Sequence, residues 1–316
     1  MNLRQLSYFV RIVDLQSLSK AAAVLRVAQP ALSRQMRALE DDLGTGLLVR
    51  HGWGVTPTPA GQVLADHARR LLREAQATRD AVAALSAEPS GSLSLGVPSS
   101  LALAMLPRLS AWFLEHYPKV ALQLLDGFSA SIHGLIMSGR LDVAVLYADR
   151  SLGPLAATPL LREPIMLVGG AGRLAAPVPV TLDALGTMPL ILPSRPNRLR
   201  LLLDQLRIDH GLDLDVRVEV DSLPALLDMV RTGQGFTMLP YSAVHDPVTE
   251  GRLSAAPLDP PALSRTLVMV RPLDRIPTAA TGILERAMRR LVVETSSTMR
   301  WEPLVDLSAD DDGDPI

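Results

Sequence analysis

The chain of 316 residues is 48% hydrophobic, carries a net charge of −2 and has no cysteine, which excludes a disulfide framework, a thiolate nucleophile and a cysteine-ligated metal. Residues 1–85 hold eleven Lys/Arg against seven Asp/Glu and the remainder twenty against twenty-six, so a +4 segment precedes a −6 segment. No apolar run reaches the length of a membrane span, and Met1–Gln5 lacks the charged-then-apolar pattern of a secretory leader. Two or three compact units are expected, in a cytoplasmic protein without membrane contact.

Ser17–Gly44 reads as two short helices joined by a tight turn. Ser19 is the expected N-cap of a helix over Lys20–Leu25, and Arg26–Ala28 makes the turn. Gln29–Asp42 follows, with Pro30 tolerated in the first turn because those amides have no helical acceptor. Leu32, Met36, Leu39 and Leu43 recur at four, three and four, which predicts one buried face. Pro30, Arg34, Arg37 and Asp41 fall opposite, with Gln29 and Ser33 on the flank. Gln and Arg pair bidentately with adenine and guanine edges, although an amphipathic hairpin with a solvated face has the same spacing.

Beyond this stretch, Met1–Gly61 resembles the winged helix-turn-helix domain of LysR-type transcriptional regulators. The resemblance rests on Leu3, Leu6, Phe9 and Val13, on Ser17–Ala22, Ala28–Gln35 and Leu39–Gly44, and on Leu47–Arg50 and Val55–Gly61. Within the family the segment is similar to the nitrogen assimilation control branch. The resemblance implies a sequence-specific DNA-binding regulator that takes an interrupted palindrome of double-stranded DNA as a homodimer or homotetramer, with RNA polymerase as a candidate partner. Gln29, Pro30, Ser33 and Arg34 are the expected base-edge contacts. Arg37 and Arg50 are expected at phosphates, where positioning needs charge. Thr56 and Thr58 of the wing complete the set. The wing departs from the family at Trp53, where an arginine is usual. That indole either lies on sugar edges or packs against the wing, and the second is preferred because indole buries its apolar body.

A long helix is expected from Pro59, capped by Thr58. Leu64, Ala68, Leu71, Ala75, Thr78, Val82 and Leu85 alternate by four and three, a heptad seam. In the family this linker helix makes an antiparallel dimer contact, which assigns dimerisation to Leu64, Ala68, Leu71, Ala75 and Val82. Glu88–Gly91 ends it. The expected segments are 1–60 for DNA binding, 58–88 for the linker, 89–295 for a regulatory domain and 296–316 for an acidic disordered tail.

In the regulatory segment the period switches. Strands are expected at Leu93–Val97, Val120–Leu124, Leu141–Leu146, Ile165–Val168, Leu190–Leu192, Val216–Val220, Gly235–Leu239 and Leu267–Val270. Helices alternate with them at Leu101–Tyr117, Ile132–Ser138, from Thr181, Leu199–Leu206, Leu223–Arg231 and Thr278–Val293, which implies parallel sheet. The layout resembles the family's effector domain, a two-lobed α/β fold of the periplasmic-binding-protein type 2 class. Lobe one is expected over about 91–162 and 266–295, lobe two over 163–265.

In such folds ligands bind at the carboxyl ends of strands. Ser99, Ser100, Phe128, Ser129, Tyr147, Ser194 and Asn197 occupy those positions, with Arg195 and Arg198 nearby. A helix start at Ser99–Ser100 favours a small anionic effector, though serines there also serve as plain caps. Control by abundance without any ligand is the alternative that the nitrogen-control resemblance carries. An enzyme or solute-binding protein with an accessory helical domain is a remote third. The six histidines have no metal-ligand i, i+4 pair, no G-x-S-x-G turn occurs, and Gly169–Gly172 has no following Lys-Ser/Thr. No cofactor is expected.

Overall fold

The computed structural model describes residues 1–84, 89–148, 152–175, 178–258, 263–275 and 277–305, with the side chains of 77 and 80–84 left aside. The chain divides into two compact units, Met1–Gly91 with Met137–Arg140, and Ser92–Ile136 with the residues from Leu141 onward.

In the first unit α1 spans Leu3–Leu15, and Asn2 and Gln5 form a reciprocal cap at its start. Helix α2 is Leu18–Leu25. Its cap is Ser17, whose hydroxyl accepts from the Lys20 amide at 3.3 Å, so the expected Ser19 cap is corrected by two residues. Helix α3 runs Gln29–Leu43 and stops at Gly44, which takes φ +66°. Leu32, Met36 and Leu39 are fully buried with Phe9, Ile12 and Leu47. Leu43, expected on that face, is 39% exposed because it sits in the last turn, beyond the packed part of the helix.

Strands β1 (Leu48–His51) and β2 (Gly54–Pro57) pair antiparallel as the wing. Glu40 accepts from the Leu47 and Leu48 amides and so anchors β1 to α3. Helix α4 is Pro59–Ala84, capped as expected by Thr58, which accepts from the Gly61 amide at 2.9 Å. Part of the expected seam is also used within this unit. Ala65 is fully buried and Leu64 half-buried against this unit's own core, Ala68 is fully buried, and Arg69 pairs with Asp14 of α1 at 2.7 Å. Small alanines let α1 approach closely, so the seam's first turns serve the monomer. Leu71 is 47% exposed and Ala75 half-buried; the Val82 side chain and Leu85 lie outside the described residues.

The second unit opens with β3 (Gly91–Pro98), α5 (Ser99–His116), β4 (Val120–Gly127), α6 (Ser129–Met137) and β5 (Val143–Tyr147). A single strand, β6 (Leu155–Gly170), then crosses from one lobe to the other. Lobe two adds α7 (Leu182–Gly186), β7 (Leu190–Leu192), α8 (Arg198–His210), β8 (Val216–Glu219), α9 (Leu223–Arg231), β9 (Thr237–Pro240), α10 (His245–Thr249) and β10 (Leu253–Pro257). The chain returns through β11 (Ser264–Pro272), α11 (Ala279–Met299) and β12 (Glu302–Pro303).

The main sheet orders its strands β10-β6-β11-β5-β3-β4, with β9 and β12 also on β6. It is mixed, not parallel as expected: β3 and β5 run parallel, but β11 is antiparallel to both β5 and β6. The first half of β6 pairs with β11, and its second half with β9 and β10. Leu95, Met105, Leu267 and Leu284 belong to one core, and Leu167, Leu192, Leu203 and Met238 to the other.

The expected tail from residue 296 is also corrected. Helix α11 continues to Met299, Trp301 is buried, and β12 pairs with β6; only 306–316 lie outside the described residues.

Candidate functional site

Two sites emerge, one in each unit. On α3, Gln29, Pro30, Arg34 and Arg37 are exposed opposite the buried Leu32, Met36 and Leu39. Among the described residues none of the Gln29, Arg34 and Arg37 side chains has a hydrogen-bond partner, so the helix presents open donors. Ser33 is half-buried and its hydroxyl accepts from Arg50 Nη2 at 2.9 Å, which ties the wing to the first half of α3. Thr56 is engaged by His51 Nε2 at 2.9 Å. The Thr58 hydroxyl donates to the Gly46 carbonyl besides capping α4, so its place is structural. Trp53 was expected to pack against the wing. It is instead 88% exposed at the hairpin tip, stacked on His51 with centroids 5.3 Å apart. The tip is a two-residue turn that projects beyond the paired strands.

The second site is the cleft between the lobes of the second unit, a cavity of about 70 Å³. Ser99, Ser100, Phe128, Ser129, Tyr147 and Asn197 line it, as does Arg198. Ser194 does not, because its hydroxyl and amide bind the Asp221 carboxylate at 2.6 and 2.9 Å. Arg195 is turned away as well, held by Asp204 at 2.7 Å. Ser99 and Ser100 are not caps: Pro98 precedes α5 and makes no side-chain cap, so the first-turn amides keep no protein side chain on them.

Sequence reasoning missed the charged centre of the cleft. Arg265, buried at the start of β11, donates to Glu163, to the Tyr147 hydroxyl and, at 2.9 Å, to Ser100 Oγ. Glu163 has no exposed surface. It also accepts from Ser242 at 2.5 Å and from the Trp301 indole at 3.0 Å. Burial alone would depress the Arg265 guanidinium, but Glu163 and Tyr147 outweigh it and hold the pKa above its ordinary value. One cluster thus joins β6 and β11, both lobes and the segment after α11. The signal in the sequence was an Arg and a Glu each opening an apolar strand run, at Arg265 and Glu163.

No helix among the described residues is long and apolar enough to cross a membrane. A model of the LysR substrate binding domain matches residues 86–292, and one of the bacterial regulatory helix-turn-helix proteins of the lysR family matches residues 3–62. The chain is 34% identical over 268 residues to the nitrogen assimilation regulatory protein nac of Klebsiella aerogenes, covering 84% of this chain and 87% of that protein. It is 37% identical over 245 residues to nac of Escherichia coli, covering 77% and 79%. Full-length OxyR from Pseudomonas aeruginosa shares the fold with a TM-score of 0.73 at 24% identity, covering 95% of this chain and 97% of that one.

Proposed function

The chain belongs to the LysR family of bacterial transcriptional regulators, and from that premise we propose that α3 reads an operator while the inter-lobe cleft receives a small anionic effector. The observation that carries the DNA reading is the exposed, unpartnered row Gln29, Arg34 and Arg37 on a helix whose opposite face is fully buried. Gln29, Pro30, Ser33 and Arg34 meet base edges in the major groove, and Arg37 and Arg50 meet phosphates. The reading is of a cytoplasmic regulator rather than an enzyme, working as a homodimer or homotetramer on an interrupted palindrome, with RNA polymerase as a further partner. Leu71 and Ala75, four residues apart on α4, remain for a partner helix.

For the cleft, the uncapped first turn of α5 supports an anion, since its amides and the helix dipole favour negative charge. The absence of cysteine excludes sensing by thiol oxidation. A second reading, control by abundance without ligand, is favoured by one observation: Arg265 already has Glu163 as counter-charge.

One experiment on the full-length protein tests both. Duplexes enriched from a random-sequence pool, matched against immunoprecipitated genomic fragments, should share a two-fold symmetric motif. Carboxylates, aromatic acids and phosphorylated metabolites are then added one at a time to protein and motif duplex. An effector raises the melting temperature and alters the footprint, because it must favour one conformation over another. If no anion does either, control by abundance replaces the effector reading.

A further inference from the structure

The exposed tryptophan is the feature that the DNA-reading surface leaves unexplained. Large aromatic rings ordinarily bury their body, yet the Trp53 indole is 88% exposed. The wing that carries it is not loose. Val55 is buried and its amide donates to the Gln16 carbonyl at 2.9 Å. Gly54 takes φ +152°, and a Cβ there would meet that same carbonyl oxygen at 2.6 Å, so only glycine lets the strand approach this closely. His51 pairs with Gly54 across the hairpin, which leaves Gly52 and Trp53 as the tip. The His51 ring is held by Thr56 at 2.9 Å and lies nearly parallel to the indole, at 10°. One face of the tryptophan is therefore braced and the other open.

The surroundings choose the occupant. From Leu43 to Ala65 the sequence has no acidic residue, so nothing in the wing repels a polyanion. Arg50 binds Ser33 on the first half of α3, so the wing stands beside the helix that faces the major groove. An element beside such a helix crosses one phosphate ridge and meets the adjoining minor groove. A braced, flat, uncharged ring in a minor groove stacks on deoxyribose and wedges base steps that unstack readily, which are the pyrimidine–purine steps.

We propose that Trp53, braced by His51, is a specificity-determining residue that reads DNA deformability, by lodging its open face in the minor groove at a pyrimidine–purine step flanking each half-site. The inference rests on the DNA reading above and deepens it. It gives the wing an apolar contact that reports shape, distinct in kind from the charge contacts of Arg37 and Arg50.

The test uses the full-length protein and the duplexes that it enriches from a random-sequence pool. Wild type should enrich a TA or CA/TG step at a fixed distance outside each half-site, and Trp53→Ala should lose that preference while keeping the half-site. Affinity for the selected duplex should fall roughly five- to fifty-fold in Trp53→Ala, in line with the loss of one stacking contact. The salt dependence should not change, since no counterion-releasing charge is removed. Trp53→Phe should recover most of the loss. Tryptophan emission should be quenched by DNA in wild type and not in Trp53→Phe, which retains Trp112 and Trp301. Melting temperature controls for folding, and with so exposed a ring it should be unaltered. If wild type enriches no sequence, the DNA reading itself falls. If wild type enriches a motif and Trp53→Ala binds it equally well, or loses affinity equally for unselected DNA, this inference alone is overturned.

Discussion

Arg34 and Arg265 are the same side chain in opposite settings. Arg34 stands in solvent on α3 with no partner among the described residues, while Arg265 is buried against Glu163, Tyr147 and Ser100. A donor left open at the surface costs little, because water satisfies it, and it is ready for a base or phosphate. A guanidinium taken from water must find its acceptors within the protein, or burial becomes prohibitive. The two settings therefore handle charge differently: α3 holds it outward, and the cleft closes it into a buried cluster.

The sharpest break of this comparison is removal of the buried counter-charge. Glu163→Ala should destabilise the regulatory domain by about 3–5 kcal/mol, because Arg265 is left buried and uncompensated. Urea unfolding of the full-length protein reads this. The double replacement Glu163→Leu with Arg265→Met should recover most of the loss; if it is as unstable as Glu163→Ala alone, the charge pair is not the cause. At the surface, the same kind of deletion should leave stability alone and change binding. Arg34→Ala should cost roughly 1–3 kcal/mol of discrimination at one base pair per half-site. Arg50→Ala should weaken all sequences nearly alike and lower the salt slope by about one unit. Titrations against single-base variants separate the two, and equal behaviour of both variants would dissolve the distinction between reading and positioning.

The smallest effect concerns a pair between these extremes. Burial raises the Asp204 carboxyl, but hydrogen bonds from Arg195 and Arg200 outweigh it and hold its pKa below the ordinary carboxylate range. A carboxylate depressed in the folded state adds stability that is fully present above its unfolded pKa and lost as pH falls through the folded one. Asp204→Asn should therefore flatten the acid limb of the stability profile below about pH 4, in the ordinary aspartate range. Unchanged acid sensitivity in that variant would remove Asp204 from the account.

Helix α3 was readable because its signal is local: Leu32, Met36 and Leu39 repeat within three turns, and Gly44 stops them. The cleft was readable where a side chain ends or follows a strand, as Tyr147 ends β5 and Ser99 and Phe128 follow β3 and β4. Arg265 and Glu163 meet from 102 positions apart, and no periodicity reports a partner at that distance. Strand β6 hid itself with Pro159 and Pro164, residues that normally argue against a continuous strand. It accommodates Pro159 beside a register shift opposite Leu267 and Val268, and Pro164 opposite Ser264, the first residue of β11. The acidic run after Trp301 likewise drew attention away from an indole that packs against the core. On Trp53 the sequence misled for a physical reason: the usual burial of indole assumes a position that faces a core, and a two-residue hairpin tip does not.

That indole at position 301 also bears on how the protein is made. The core of the first unit closes within Leu3–Arg69, so this end can fold early in synthesis. The buried cluster cannot, because Glu163 waits for Ser242, Arg265 and finally Trp301, which lies past residue 292, where the match to the LysR substrate binding domain ends. At roughly 5–20 residues per second of synthesis, each nascent chain passes about 10–50 seconds with its helix-turn-helix end finished and its second unit unlocked. Ribosome-bound chains halted before and after Trp301 should differ sharply in protease resistance of the second unit. No difference would place the locking step earlier in the chain.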